Sequence, residues 1–138
     1  MAVKKLKRSF FQRLLGRPAT PLPENNNFWS FNNGIITLDL GQAPKLAKPG
    51  GAVRLEGDIP NKLLVVHGED GQYLAFDNKC THLGRCIDPV PGTQAVQCCS
   101  INASTFDYQG NVIEGPAKSP LAMHPVTIKE GKLVIKIG

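Results

Sequence analysis

Several things are scarce in this chain, and each scarcity excludes something. No run of about 18 apolar residues occurs, so no segment has the length and character of a membrane-spanning helix. Long helical patterns are few and internal repeats absent, which argues against a bundle or a solenoid. There is no Ser-His-Asp set, no phosphate-binding loop and no pair of carboxylates placed for acid–base work, so catalysis by the chain alone is not expected. Acids are missing from residues 1–17, where Lys4, Lys5, Lys7, Arg8, Arg13 and Arg17 supply six cations. The remaining 10 basic and 11 acidic residues nearly cancel, so the formal charge of +5 belongs to the tail and gives no reason to expect nucleic acid as a partner. Cysteine is scarce too, and its distribution is the informative part. All four cysteines fall within Cys80-Thr81-His82-Leu83-Gly84-Arg85-Cys86 and Cys98-Cys99-Ser100-Ile101-Asn102, together with one of three histidines.

What is present reads as one β domain. The 138 residues are 41% hydrophobic, with 14 Gly and 11 Pro, enough for a modest core in a loop-rich protein. Val3, Leu6, Phe10, Phe11, Leu14 and Leu15 recur at steps of three and four, the pattern of a short amphipathic helix with a basic face. Lys7-Arg8-Ser9-Phe10-Phe11 is similar to the charged part of a twin-arginine export signal. The apolar segment that export needs is interrupted by Gln12, Arg13, Arg17 and Pro18. The expectation is a cytoplasmic protein, with residues 1–17 either docking on the inner membrane surface or on a partner, or standing as a solvated tail. Pro18, Pro21, Pro23 and Asn25 to Asn27 make a linker, which gives a tail and linker over 1–27 and a folded domain over 28–138. Phe28, Trp29 and Phe31 begin that domain as core-edge packing.

From there the period is two. Ile35 to Leu40, Gly51 to Glu56, Leu63 to His67, Tyr73 to Phe76, Gln94 to Cys98 and Val126 to Ile137 read as strands, the last a hairpin turning at Glu130-Gly131. Gly68-Glu69-Asp70-Gly71 is a hairpin turn signal, and Pro89, Pro91 and Gly92 turn the chain between the two cysteine segments. The fold class is all-β, an antiparallel sandwich or small barrel.

The two cysteine segments carry a resemblance. Cys80-Thr81-His82-Leu83-Gly84 is similar to the first ligand box of Rieske-type [2Fe-2S] proteins, Cys-x-His followed after about sixteen residues by Cys-x-x-His. Sixteen residues separate His82 from Cys99. Ser104-Thr105-Phe106-Asp107-Tyr108-Gln109-Gly110 resembles the Ser-x-Phe-Asp-x-x-Gly after the second box. Gly115-Pro116-Ala117, with Leu121 beyond, resembles the loop that covers the cluster. The resemblance spans residues 50–138. It implies a Rieske-like fold with a cluster-binding subdomain inserted between strands, a [2Fe-2S] cofactor, and one-electron transfer to or from a redox partner protein.

The second box departs from that pattern. Asn102 stands where the family has its second His, and the positions of the family's inter-box disulfide are Arg85 and Ile101. The resemblance therefore implies Cys80 and Cys99 on one iron and His82 on the other, with one ligand unassigned. Cys98, Cys86, Asn102 and His124 are the candidates. Thiolate binds iron far better than carboxamide, and Cys98 adjoins a ligand position, so Cys98 is the expected fourth ligand. The cost is that neighbours in a strand face apart. His124 reads as a polar loop residue before Pro125, and His67 as an ordinary strand residue. Three alternatives stay open: a displaced Cys86–Cys98 disulfide, a Cys₃His zinc site, and a cluster-less domain serving as an interaction module.

Overall fold

The computed structural model describes residues 27–57, 59–79, 87–90, 92–98, 104–115 and 119–137. Its strands are β1 (Trp29–Asn32), β2 (Ile35–Asp39), β3 (Ala52–Leu55), β4 (Leu63–His67), β5 (Tyr73–Asp77) and β6 (Ile87–Pro89). They continue with β7 (Ala95–Cys98), β8 (Thr105–Asp107), β9 (Val112–Glu114), β10 (Met123–His124), β11 (Val126–Lys129) and β12 (Lys132–Lys136). These form three four-stranded sheets, β1-β2-β12-β11, β10-β5-β4-β3 and β6-β7-β8-β9. All their pairings are antiparallel.

The first sheet follows directly from alternation. Ile36 and Leu38 of β2 lie opposite Ile135 and Leu133 of β12, and all four are fully buried. The charged Lys132 and Lys136 at the ends of β12 remain exposed. Two hairpin turns need both central residues at positive φ, and the sequence supplies residues that tolerate it. They are Asn33-Gly34 (φ 51° and 76°) between β1 and β2, and Glu130-Gly131 (φ 53° and 75°) between β11 and β12.

β4 does something different. Leu63, Leu64, Val65 and Val66 are all buried, so neither face of this strand meets water. Leu63 and Val65 join the apolar cluster shared with the first sheet. Leu64 and Val66 join a second cluster with Phe76, Ile87, Val96 and Phe106. The middle sheet is thus sandwiched between two cores. Each fully buried aliphatic or aromatic side chain contributes about 1.5–3 kcal/mol.

The third sheet is an insertion. The chain leaves the middle sheet at the end of β5, builds β6 to β9, and returns as β10, where Met123 pairs with Phe76 of β5. This is the inserted subdomain that the resemblance implied, and the all-β antiparallel class holds throughout the described residues.

Candidate metal centre

The inserted sheet positions the cysteine segments through their flanks. Ile87 opens β6 directly after the first segment, and Cys98 closes β7 directly before Cys99. The two residues are paired partners. The exit of the first segment and the entrance of the second therefore sit side by side at one end of this sheet. The second excursion is short and closed: the Cys98 N–H donates to the Ser104 carbonyl at 2.8 Å. Ser104 is fully buried.

The first excursion is closed by a side chain. Asn78 Oδ1 accepts the Ile87 backbone N–H at 2.7 Å, bridging the chain across residues 79–86. Asn78 is itself held from behind, its own N–H donating to the Lys62 carbonyl at 2.8 Å. The covering segment starts from the same place. A Cβ built on Gly115, where φ is +100°, would lie 2.5 Å from the Ser104 Cα. Only glycine permits that approach, so Gly115, which opens Gly115-Pro116-Ala117, is pressed against Ser104, two residues beyond Asn102.

Tyr108 locks this sheet to the middle one. Its hydroxyl accepts the Glu69 N–H at 3.0 Å and donates to the Thr93 carbonyl at 3.3 Å. Burial raises its pKa above the ordinary 10.0, more than the backbone hydrogen bond from Glu69 lowers it. Leu121 packs in the same cluster, its N–H donating to the Gly110 carbonyl at 2.7 Å.

Of the expected ligands, Cys80, His82 and Cys99 lie outside the described residues, as do Cys86 and Asn102. Cys98 is described. It is fully buried in the second apolar cluster, on the same face of β7 as Val96. Gln97 points the other way and donates from Nε2 to Thr105 Oγ1 at 3.0 Å. Cys98 thus faces the core, which is the geometric cost that strand alternation foretold. Its backbone is held on both sides: it pairs with Ile87 of β6, and its N–H bonds the Ser104 carbonyl just past the last β7–β8 register pair, Gln97↔Thr105.

The two other histidines have their own partners. His67 Nδ1 donates to the Leu46 carbonyl at 2.9 Å, and its ring stacks on Tyr73 with centroids 4.4 Å apart. His124 Nε2 lies 2.6 Å from Asp77 Oδ1. From its sequence context His124 is expected to be a polar loop residue; in the structure it is a strand residue with a carboxylate partner 47 positions away. Among the described residues no group of three His, Cys, Asp or Glu could hold a metal.

The Rieske [2Fe-2S] domain family model matches residues 42–125. The chain belongs to this family. It is 30% identical over 104 residues to the cytochrome b6-f complex iron-sulfur subunit of Chlorobaculum tepidum, covering 75% of this chain and 56% of that protein. Against the corresponding subunit of Prochlorococcus marinus it is 33% identical over 82 residues, covering 59% of this chain and 45% of that protein. The chain spans about half the length of these curated relatives. Among solved structures it is similar to a plasma membrane Rieske protein from the cyanobacterium Synechocystis PCC 6803 (TM-score 0.51, 26% identity, 60% of this chain and 85% of that one). The fold is also that of the ferredoxin of carbazole 1,9a-dioxygenase from Nocardioides aromaticivorans IC177 (TM-score 0.57, 19% identity, 66% and 88%).

The Rieske boxes of this chain fit the cofactor in most respects. Two thiolates and an imidazole are the donor types such a centre takes. The described residues that flank the boxes and open the covering segment, Ile87, Cys98, Ser104 and Gly115, lie together at one end of the inserted sheet. Asn78, two residues before Cys80 in the chain, adds a buried donor. The exception is Asn102.

Proposed function

We propose that the chain is a one-electron carrier whose [2Fe-2S] centre is held by Cys80 and Cys99 on one iron and by His82 and Cys98 on the other. When bound, the centre takes up a single electron and gives it back. The remainder of the chain positions the donors, excludes water beneath them, and presents one edge to a redox partner protein. The observation that carries this reading is the convergence of three flanks at one end of the third sheet: Ile87 against Cys98, Cys98 against Ser104, Ser104 against Gly115.

Cys98 joins the set at a cost. Its side chain must leave the apolar cluster, forfeiting about 1 kcal/mol of burial. Turning it out also disturbs its pairing with Ile87 and the bond from its N–H to the Ser104 carbonyl, a second cost of taking it as a ligand. A thiolate on iron offsets these losses, because soft thiolate ligands are those iron–sulfur centres select. The carboxamide of Asn102 offers no comparable gain.

The iron-sulfur subunits among the relatives support a partner that is itself a redox protein. Among the described residues no helix is long and apolar enough to cross a membrane. Residues 1–17, six cations and no acid, suit a peripheral dock on an anionic inner membrane surface. The test is a reductive titration of anaerobically reconstituted protein, followed by absorbance. The reading expects one electron taken up and returned per chain. Irreversible bleaching, or no uptake, would contradict it.

A further inference from the structure

Asn78 carries an unexplained feature. It is 3% exposed, and its Nδ2 is a buried donor with no acceptor among the described residues. Which end of the carboxamide is which follows from the chemistry, because the atom 2.7 Å from the Ile87 N–H must be the oxygen. The group cannot swing to find a partner. Its backbone N–H is tied to the Lys62 carbonyl and its Oδ1 to Ile87, so Nδ2 is fixed in place. More than about nine in ten buried polar groups have a partner, and an orphan of this kind costs about as much as a lost hydrogen bond. A protein that holds such a donor rigidly is built to meet an acceptor.

The acceptor is identified by position and by charge. Asn78 stands two residues before Cys80 and clasps both ends of the segment that contains Cys80, His82 and Cys86. A metal-bound thiolate is an anionic acceptor, and donors to ionised acceptors form the stronger class of hydrogen bond. Resting on the cluster reading above, we propose that Asn78 is a positioning residue of the centre: its Nδ2 donates to an anionic sulfur of the centre in the loaded protein, while its Oδ1 holds the Ile87 N–H. Hydrogen bonds to cluster sulfurs are among the factors that set the potential. The reduced centre carries one more negative charge, so it gains more from the donor than the oxidised centre does. Asn78 therefore raises the potential as well as fixing the loop.

The test compares the unsubstituted chain with Asn78→Ala and Asn78→Asp, each reconstituted anaerobically and assayed for iron, sulfide and midpoint potential. Asn78→Asp keeps the acceptor for Ile87 and loses only the donor, gaining a charge. With iron and sulfide equal to the unsubstituted chain, Asn78→Ala should shift the equilibrium at least tenfold toward the oxidised form, a drop of 59 mV or more for one electron. Asn78→Asp should drop further. A loaded Asn78→Ala chain with unchanged potential overturns the proposal and leaves Asn78 a loop clasp only. If neither variant loads, pulsed electron paramagnetic resonance decides. The probe is a chain labelled with ¹⁵N solely at asparagine side-chain nitrogens, carrying Asn102→Ala so that residue 102 is silent. Coupling of a side-chain ¹⁵N to the reduced centre supports the proposal, and its absence overturns it. An unsubstituted chain that takes up neither iron nor sulfide sinks the cluster reading and this one with it; a loaded chain with a silent Asn78 sinks this one alone.

Discussion

Gly115→Ala is a severe perturbation for a single methyl group, and its cost can be worked from the geometry. The new Cβ would stand 2.5 Å from Ser104 Cα, 3.0 Å from Ser104 N and 3.1 Å from Ser104 Oγ. The two nearest contacts are to backbone, which cannot rotate away. Overpacking of this kind costs about 1–3 kcal/mol. A non-glycine residue at φ +100° adds roughly 1–2 kcal/mol of backbone strain, while alanine returns about 0.4–1 kcal/mol by restricting the unfolded chain. The net is about 1–5 kcal/mol, a sizeable share of the roughly 5–15 kcal/mol that holds a domain folded. Gly71→Ala is the control, because φ is +84° there and nothing lies within 4 Å of the built Cβ. It carries the strain without the clash. Urea unfolding of metal-free protein measures both variants. Gly115→Ala should lose about 1–3 kcal/mol more than Gly71→Ala. Equal losses would refute the close approach of Gly115 to Ser104. Since the Ser104 carbonyl also receives the Cys98 N–H, the same variant should retain less iron once reconstituted.

Other outcomes follow from the same geometry. Cys98→Ser should destabilise the reconstituted centre and lower its iron content, while Asn102→Ala should leave both unchanged; intact iron in Cys98→Ser would remove Cys98 from the ligand set. With three thiolates the midpoint potential should lie near the low values of all-Cys clusters, ~ −400 mV, and a value within the two-His Rieske range would exclude the third thiolate. Tyr108 is held protonated in the fold, so its contribution is complete below pH 10.0 and is lost as pH rises through the raised native value. Tyr108→Phe should flatten that alkaline decline and cost roughly 1 kcal/mol at neutral pH by orphaning the Glu69 N–H, measured by denaturation at several pH values. Vesicles containing anionic lipid should retain the full chain and release it with salt, and should not retain a chain beginning at Phe28; equal retention would leave residues 1–17 as solvated tail.

Much of the fold was legible because most of its strands keep a clean period of two or a continuous apolar run. Ile36 and Leu38, Leu133 and Ile135, and the Leu63–Val66 run announce buried faces without help from distant residues. The strands that carry no sequence signal are short or set by pairing. β6, β8 and β9 have three residues each and β10 has two, too few to show any period. The stretch containing Pro89 reads as turn and is in part a strand. The β1–β2 hairpin was readable in principle, since Asn33-Gly34 is the strongest short turn signal, but it is masked by the Asn-rich approach from Asn25. In the site, the donor types and their spacing were plain from the two boxes. The clasp of Asn78 on Ile87, the approach of Gly115 to Ser104 and the pairing of His124 with Asp77 were not. Each is a contact between segments 9 to 47 residues apart, created by the insertion of one sheet into another rather than by any local pattern. The orientation of Cys98 lies between these cases: alternation predicts its face, and Val96 two residues earlier fixes that face as the core side.

The most direct test is the composition and spin state of the protein prepared without oxygen. Iron and acid-labile sulfide should each reach about two per chain, with an S = 1/2 signal on reduction, as a [2Fe-2S] centre requires. Stoichiometric zinc without sulfide, or a folded chain free of metal after reconstitution, would contradict the assignment of an electron carrier and leave a Rieske fold put to another use.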